Sequence, residues 1–172
     1  MLTKSGYIKL IDFGLAQPLP NDKTYTLCGT PQYMAPEILL RKGYGLAADW
    51  WALGILIFEM LTGRTPFDDD DPYEVFEKVM NKKVHYPRNI STAAKTLLRG
   101  FLTKDPSRRL GMTHGGAERV KDMTFFDGLN FKELLFKKVH SPSKDHPQNL
   151  SPCSDTSASS DEDQRTITHF WK

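Results

Sequence analysis

The sequence predicts a mainly α-helical domain that starts with a small β-hairpin and ends in a disordered tail. Its 172 residues, 39% hydrophobic and 26% charged, are typical of one globular domain with room for a single core. Apolar residues recur with helical period through the middle of the chain, and the composition changes near Val139. Together these observations exclude a fibrous, collagen-like or wholly disordered chain.

The first part of the chain predicts short strands followed by a long loop. Ser5-Gly6 separates two short apolar stretches, which is typical of a hairpin, and a turn follows at residues 12–14. Proline, glycine and asparagine then interrupt regular structure as far as Pro36. An irregular stretch of this length in a compact domain is more often functional than accidental.

Helices are predicted for most of the remainder. The run 50–61 is apolar nearly all round and shorter than the roughly 20 residues of a membrane helix, so it predicts a buried core helix. Asp71-Pro72 opens a second helix, and Ser91 caps a third. Their apolar stripes comprise Val75, Phe76, Val79 and Met80 in the second, and Ala94, Leu97, Leu98, Phe101 and Leu102 in the third.

The C-terminal stretch predicts a disordered tail from about residue 141. Between Ser141 and Asp163 there are seven serines, three prolines and a closing acidic cluster. Such a segment buries too little apolar surface to offset the entropy of ordering it. The acidic runs 68–71 and 161–163 are expected to be solvated, and we assign no metal to them.

Charge and cysteine content narrow the class of protein. Lys plus Arg number 23 against 21 for Asp plus Glu, a balance too even for a nucleic-acid binder recognised by bulk charge. The two cysteines are far apart, so neither a disulfide framework nor a cysteine zinc site is indicated. Residues 1–6 turn polar before a secretory signal could form. We therefore expect a cytoplasmic location, with the nucleus as the alternative.

Three ordered motifs carry a family resemblance. They are Asp12-Phe13-Gly14, the segment 26–37 and the run 49–54, with further matches at 105–111 and 125–126. They resemble the C-terminal lobe of a eukaryotic protein kinase, most closely the AGC serine/threonine kinases, with cyclic-AMP-dependent kinase and protein kinase C left open. The resemblance implies a partial kinase-like fold over residues 1–126 and an AGC C-terminal tail over residues 127–172.

The remaining kinase signatures do not occur in these 172 residues. A glycine-rich loop, a strand lysine, its glutamate partner and the HRDxxxxN catalytic loop all precede DFG in the family. Gly43-Tyr44-Gly45 only imitates a glycine loop and predicts a flexible turn. The resemblance implies that Met1 is an internal methionine of a longer kinase, and that this chain alone is inactive.

The resemblance assigns chemistry to the start of the irregular stretch. Asp12 matches the ligand of the magnesium ion that accompanies ATP, and so counts as both a catalytic and a cofactor-binding residue. Thr26 matches the activation-loop phosphosite, although a basic partner present in some relatives is Gln17 here. Thr30 matches a threonine that hydrogen-bonds the catalytic aspartate and lysine in relatives.

The same resemblance assigns substrate contacts. Leu27, Pro31 and Met34 match an apolar pocket for the residue that follows the phosphorylated Ser or Thr. Glu59 interrupts a buried helix, where a carboxylate needs a partner, and in basophilic relatives it accepts a substrate arginine. The alternative is a structural ion pair. Gln32 replaces a glutamate common in relatives and weakens the case for a strongly basic substrate.

Three more charged residues are expected to be structural. Glu37 and Arg109 resemble the buried ion pair that ties the activation segment to the distal helices. Asp49 resembles the aspartate that holds the catalytic-loop backbone.

The leading hypothesis is a serine/threonine protein kinase that uses ATP and Mg²⁺. Its partners would be proteins with Ser or Thr in a basic context, an upstream activating kinase and a regulatory subunit, with neither nucleic acid nor a membrane span. A second hypothesis is a non-catalytic module that binds substrates or regulators. A third, an unrelated helical domain, leaves the ordered motifs unexplained.

Overall fold

A computed structural model describes residues 1, 3, 5–19 and 23–141. The chain divides into two compact units, one of Met1–Leu10 with His140–Lys172 and one of Ile11–Val139. The predicted disordered tail, apart from Ser141, lies outside the described residues.

The larger unit is built from helices, as the sequence predicts. Its α-helices are α1 Pro36–Leu39, α2 Ala47–Thr62, α3 Pro72–Asn81, α4 Thr92–Phe101, α5 Gly116–Lys121 and α6 Phe131–Leu135. Short 3₁₀ helices cover Pro31–Tyr33, Pro106–Arg108 and Thr124–Phe126. The core helix at 50–61 and the helices that begin after Asp71 and Ser91 are confirmed.

Helix α2 lies in the centre of the unit and contributes to two apolar clusters. Trp51 and Ile55 belong to one cluster, and Ile57 and Phe58 to the other. A helix buried on opposite sides is stable only when other helices cover both of them. Gly54 permits the close approach of α4, because a Cβ atom there would lie 2.7 Å from the Cβ of a neighbouring phenylalanine.

Side-chain caps set the beginnings of α3 and α4. The Asp71 carboxylate accepts a hydrogen bond from the Tyr73 amide at 2.9 Å, and the Ser91 hydroxyl accepts one from the Ala94 amide at 3.2 Å. These bonds satisfy amides that have no partner inside the helix. The apolar stripes then face the core: Val75, Val79, Ala94, Leu97, Leu98 and Phe101 are buried.

The acidic run before α3 is more structured than the predicted solvated face. Besides the capping Asp71, Asp69 forms an ion pair with Lys78 at 2.7 Å. The hydrogen bond from Lys78 lowers the pKa of Asp69 below its usual range. Within the described ranges, no group of three or more His, Cys, Asp or Glu side chains could hold a metal ion.

The smaller unit contains the backbone pairing of the predicted hairpin, although its described residues form no regular strand. The Thr3 amide donates to the Tyr7 carbonyl at 2.8 Å and the Lys9 amide to the Met1 carbonyl at 2.9 Å, around a left-handed Gly6. No strand forms among the residues described in this unit. Ile8 in this pairing is 78% exposed.

A buried ion pair joins the irregular segment to the helices of the larger unit. Arg109 donates from Nη1 to Glu37 Oε1 at 2.6 Å and from Nη2 to Glu37 Oε2 at 2.9 Å. Arg109 is fully buried and Glu37 is 7% exposed. Because Glu37 lies in α1, directly after the irregular segment, this pair fixes where that segment ends.

No helix in the described part of the chain is long and apolar enough to cross a membrane.

We predict that Glu37→Ala and Arg109→Ala each lower the free energy of unfolding by about 3–5 kcal/mol, because each leaves an uncompensated buried charge. Denaturant melts of both variants and of the double variant test this. The double variant should lose less than the sum of the single losses. Glu118→Ala, which removes an exposed pair with Lys121, is the control and should cost less than about 1 kcal/mol. Additive losses would show that the two buried residues are not energetic partners.

We also predict that amide exchange separates the core helix from the start of the irregular stretch. Amides of α2 should exchange slowly, because Trp51 and Ile55 are fully buried and the helix opens only with its surroundings. Amides in the segment 12–18 should exchange fast, because Phe13 and Leu15 are exposed. Exchange followed by mass spectrometry measures both, and equal protection of the two segments would contradict the prediction.

Candidate functional site

Asp12 lies in a tight, exposed turn. Its φ of 62° is in the left-handed region, which aspartate tolerates better than most residues. The Gly14 amide donates to Asp12 Oδ1 at 3.3 Å, and the Ala16 amide donates to the Phe13 carbonyl at 2.9 Å. The turn at residues 12–14 thus has the predicted location, and its carboxylate is accessible to a ligand from outside the turn.

The chemistry of Asp12 fits part of a magnesium site. Magnesium prefers hard oxygen donors and is often held by one or two carboxylates together with substrate phosphates and water. An exposed aspartate meets the first of these needs. Within the described residues no group of three or more His, Cys, Asp or Glu side chains could hold a metal ion, so the role of Asp12 as a magnesium ligand stays a prediction.

Tyr44 holds the segment that contains Thr26. Thr24 and Tyr44 exchange two backbone hydrogen bonds of 2.8 and 2.9 Å, and the Tyr44 phenol donates to the Thr26 carbonyl at 2.6 Å. Burial raises the pKa of Tyr44, which keeps the phenol a donor. The segment 43–45 is therefore an ordered pairing partner and not the flexible turn predicted for it. The Thr26 side chain is exposed, as a phosphosite requires.

Thr30 lies at the start of the 3₁₀ helix Pro31–Tyr33. It is exposed, and its carbonyl accepts a hydrogen bond from the Tyr33 amide at 3.0 Å. Its hydroxyl makes no capping hydrogen bond to this helix. Only its backbone is used in the local fold, and its predicted contact with a catalytic loop stays a prediction.

The three predicted pocket residues have different surroundings. Leu27 is 46% exposed, Pro31 is half-buried, and Met34 is 7% exposed and belongs to the core. Met34 therefore supports the segment from below. Leu27 is the member most accessible to a substrate side chain.

Glu59 has a phenol as its partner, and among the described residues it forms no ion pair. The Tyr33 hydroxyl donates a hydrogen bond to Glu59 Oε2. This hydrogen bond, with burial and the negative charge of Glu59, raises the pKa of Tyr33 to about 12. Since a phenol is a neutral donor, and no cation in the described ranges pairs with Glu59, the carboxylate keeps the capacity to bind a positive group.

Asp49 lies in the first turn of α2 with its side chain exposed. Neighbouring protein atoms nevertheless shield it from water enough to raise its pKa. No hydrogen bond or ion pair of this carboxylate occurs within the described part of the chain. Its predicted role toward a catalytic loop stays a prediction.

Two tyrosines important to the site were missed in the sequence. Tyr33 and Glu59 are 26 positions apart, and no local pattern connects a phenol to a carboxylate at that distance. Tyr44 lies between two glycines, which indicated a turn but not a partner for residue 24. The only signal in the sequence was a single aromatic residue among polar or small neighbours, and this signal is weak.

Comparison with known proteins decides the family. Residues 1–126 match the family model described as "Protein kinase domain". The chain belongs to the protein kinase family. The third hypothesis, an unrelated helical domain, is therefore wrong.

Relatives agree with the resemblance to AGC kinases. The chain is 46% identical over 142 residues to the cAMP-dependent protein kinase catalytic subunit PRKX of Mus musculus. This match covers 83% of this chain and 40% of that protein. It is 43% identical to the cAMP-dependent protein kinase catalytic subunit 3 of Drosophila melanogaster, over 83% of this chain and 24% of that protein. It is 44% identical to the serine/threonine-protein kinase gad8 of Schizosaccharomyces pombe, over 84% of this chain and 25% of that protein.

The chain thus spans 40% or less of the length of these relatives. All three are named as kinases or as kinase catalytic subunits. The resemblance stated from the motifs is confirmed, and nothing in these comparisons favours the non-catalytic module.

We predict that Tyr33 makes the stability of the chain sensitive to alkaline pH. Its pKa rises from 10.0 to about 12 in the folded chain, so the folded state favours the protonated phenol. The corresponding stability is complete below pH 10 and is lost as pH rises toward about 12. Glu59→Gln should make this loss smaller, because it removes the charge that opposes ionisation.

Urea melts across this alkaline range measure the effect. Tyr33→Phe should remove the tyrosine contribution to the decline. Tyr73→Phe is the control, because Tyr73 is 79% exposed, and it should leave the decline unchanged. An equally steep decline in Tyr33→Phe would show that other groups cause it.

Proposed function

We propose that this chain is part of a serine/threonine protein kinase that transfers the γ-phosphoryl group of ATP to protein hydroxyls. The observation that carries the proposal is the anchoring of the irregular segment at both ends. Tyr44 holds it near Thr24, and the Glu37–Arg109 pair holds it at α1. Between these anchors Thr26, Leu27 and Thr30 are exposed, as a regulated substrate platform requires.

ATP with Mg²⁺, when bound, supplies the transferable phosphoryl group and neutralises its charge. Asp12 would hold the ion through its exposed carboxylate. Thr30 would position the reacting groups through its unused hydroxyl. Phosphoryl transfer depends largely on positioning and electrostatics, which is why exact placement of these side chains matters more than their number.

The substrate class follows from Glu59 and Leu27. A half-buried carboxylate oriented by the Tyr33 phenol suits the guanidinium of an arginine, which forms charge-assisted hydrogen bonds with carboxylates. An exposed Leu27 suits an apolar residue after the phosphorylated Ser or Thr. We infer a moderately basic substrate, since Gln32 adds no second negative charge.

Regulation and location belong to the same proposal. Phosphorylation of Thr26 by an upstream kinase would add nearly two negative charges to an exposed loop. A regulatory subunit that occupies the substrate platform would compete with substrate. The two cysteines lie far apart in the sequence, which is compatible with a reducing compartment, so we propose the cytoplasm, with the nucleus as the alternative.

A chimaeric kinase tests the function. Residues 1–126 of this chain would replace the matching part of mouse PRKX, which supplies the strand lysine and catalytic loop. We expect phosphorylation of an arginine-containing peptide, a loss of about 10³-fold or more with Asp12→Ala, and a raised KM with Glu59→Gln.

The 172-residue chain alone should show no activity, because it has neither the lysine nor the catalytic base.

The matched control for Asp12→Ala in the chimaera is Asp122→Ala, at an exposed aspartate beyond α5. A folded chimaera without activity, or activity that survives Asp12→Ala, would contradict the proposed function.

A further inference from the structure

A basic cavity lies between the segment that follows α3 and the C-terminal end of α4. It has a volume of about 310 Å³. Lys82 and Lys83 line it on one side, and Arg99 and Lys104 on the other. Every charged residue in its lining is a cation.

These four cations have no anionic partner within the part of the chain that the structure describes. The ion pairs there are Lys78–Asp69, Arg109–Glu37 and Lys121–Glu118. Lys104 donates instead to a neutral acceptor, the Met80 carbonyl, at 2.7 Å. Burial lowers the pKa of Lys104 below its usual value.

An aromatic ring holds cations at the rim of the cavity. The guanidinium carbon of Arg99 and the Nζ atom of Lys95 each lie 5.7 Å from the centroid of the Tyr86 ring. Cation–π contacts at this distance are attractive and restrict the side chains. Their positive groups are therefore arranged before any ligand arrives, which lowers the entropy cost of binding one.

The cavity also has an apolar floor. Val84 and Tyr86, which are partly exposed, line it together with Phe67 and Leu102, which are only 2% and 7% exposed. An apolar floor beneath a ring of cations suits a ligand that combines negative charge with a small apolar group. A bare phosphate ion would leave that floor without a partner.

We propose that the cavity formed by Lys82, Lys83, Arg99 and Lys104 binds an acidic peptide segment of a partner protein. Its carboxylates would pair with the cations, and an apolar side chain would lie on Val84 and Tyr86. The cavity is large enough for one or two side chains and too small and concave for a membrane surface. The overall charge of +2 is too even to concentrate a nucleic acid on this face.

A purely structural role is the competing explanation. Cations near a helix C-terminus interact favourably with its carbonyl groups, as Lys104 does with Met80 at the end of α3. That role explains a contribution to stability. It does not require the cations to surround a cavity with an apolar floor.

Fluorescence anisotropy on the full 172-residue chain tests the proposal. The probe is a fluorescein-labelled peptide in which glutamates flank a leucine, and the comparison peptide has glutamines in their place. We expect saturable binding of the acidic peptide only. Lys83→Gln with Arg99→Gln should weaken it by about tenfold or more, because two charge pairs are lost.

The matched control removes the same charge elsewhere. Arg119→Gln with Lys132→Gln, at exposed positions of α5 and α6, should change affinity by less than about twofold. Equal weakening by both double variants would mean bulk electrostatic attraction and would overturn the proposal. So would binding to phosphatidylserine vesicles or single-stranded DNA without binding to the peptide.

A thermal melt separates binding from stability. The charge-conserving exchange of Lys83→Arg with Arg99→Lys should retain the melting temperature and bind the peptide within about threefold of the parent chain. If both cavity variants melt at lower temperature and the folded parent does not bind the peptide, the cations have a structural role only and the proposal fails.

Discussion

The placement of the irregular segment depends on one buried guanidinium. Besides the two hydrogen bonds to Glu37, Arg109 donates to the carbonyls of Ala47, Thr103 and Lys104, and it lies 5.2 Å from the centroid of the Trp51 ring. A buried ion pair on its own is weak support for stability, because desolvation opposes the Coulomb attraction. Here the remaining donors also have acceptors, so one side chain satisfies groups from α1, α2 and the loop after α4.

This arrangement makes the irregular segment a surface that is supported by core residues and restrained at few points. Met34 packs in the core, while Leu27 and Thr30 remain outside it. The Tyr33–Glu59 hydrogen bond adds a contact with α2 at the end of the segment. The proposed substrate platform would need this combination, since exposed side chains must be presented by a rigid support to act at defined distances.

Helices could be predicted from the sequence because their signals are local. Ser91 and Asp71 are caps a few residues from the amides that they satisfy, and the apolar stripes repeat within each helix. The site depends on contacts between residues that are far apart in the chain. The Glu37–Arg109 ion pair was predicted from the family resemblance, because no spacing rule connects these two residues. Neither local patterns nor the family resemblance predicted the phenol partner of Glu59, because this contact depends on the orientation of one tyrosine side chain after folding.

The net charge of this protein says little about its binding partners, whereas the local grouping of charged residues says more. The nearly even total excludes attraction of a polyanion by bulk charge, yet Lys82, Lys83, Arg99 and Lys104 gather around one cavity without a carboxylate among its lining. Glu59 is the opposite case, a carboxylate with a neutral partner on a central helix. Glu59 is half-buried, where an unpaired charge is costly, whereas the four cations are exposed to solvent. Glu59 and the four cations of the cavity are therefore the charged groups on which the proposed binding partners depend.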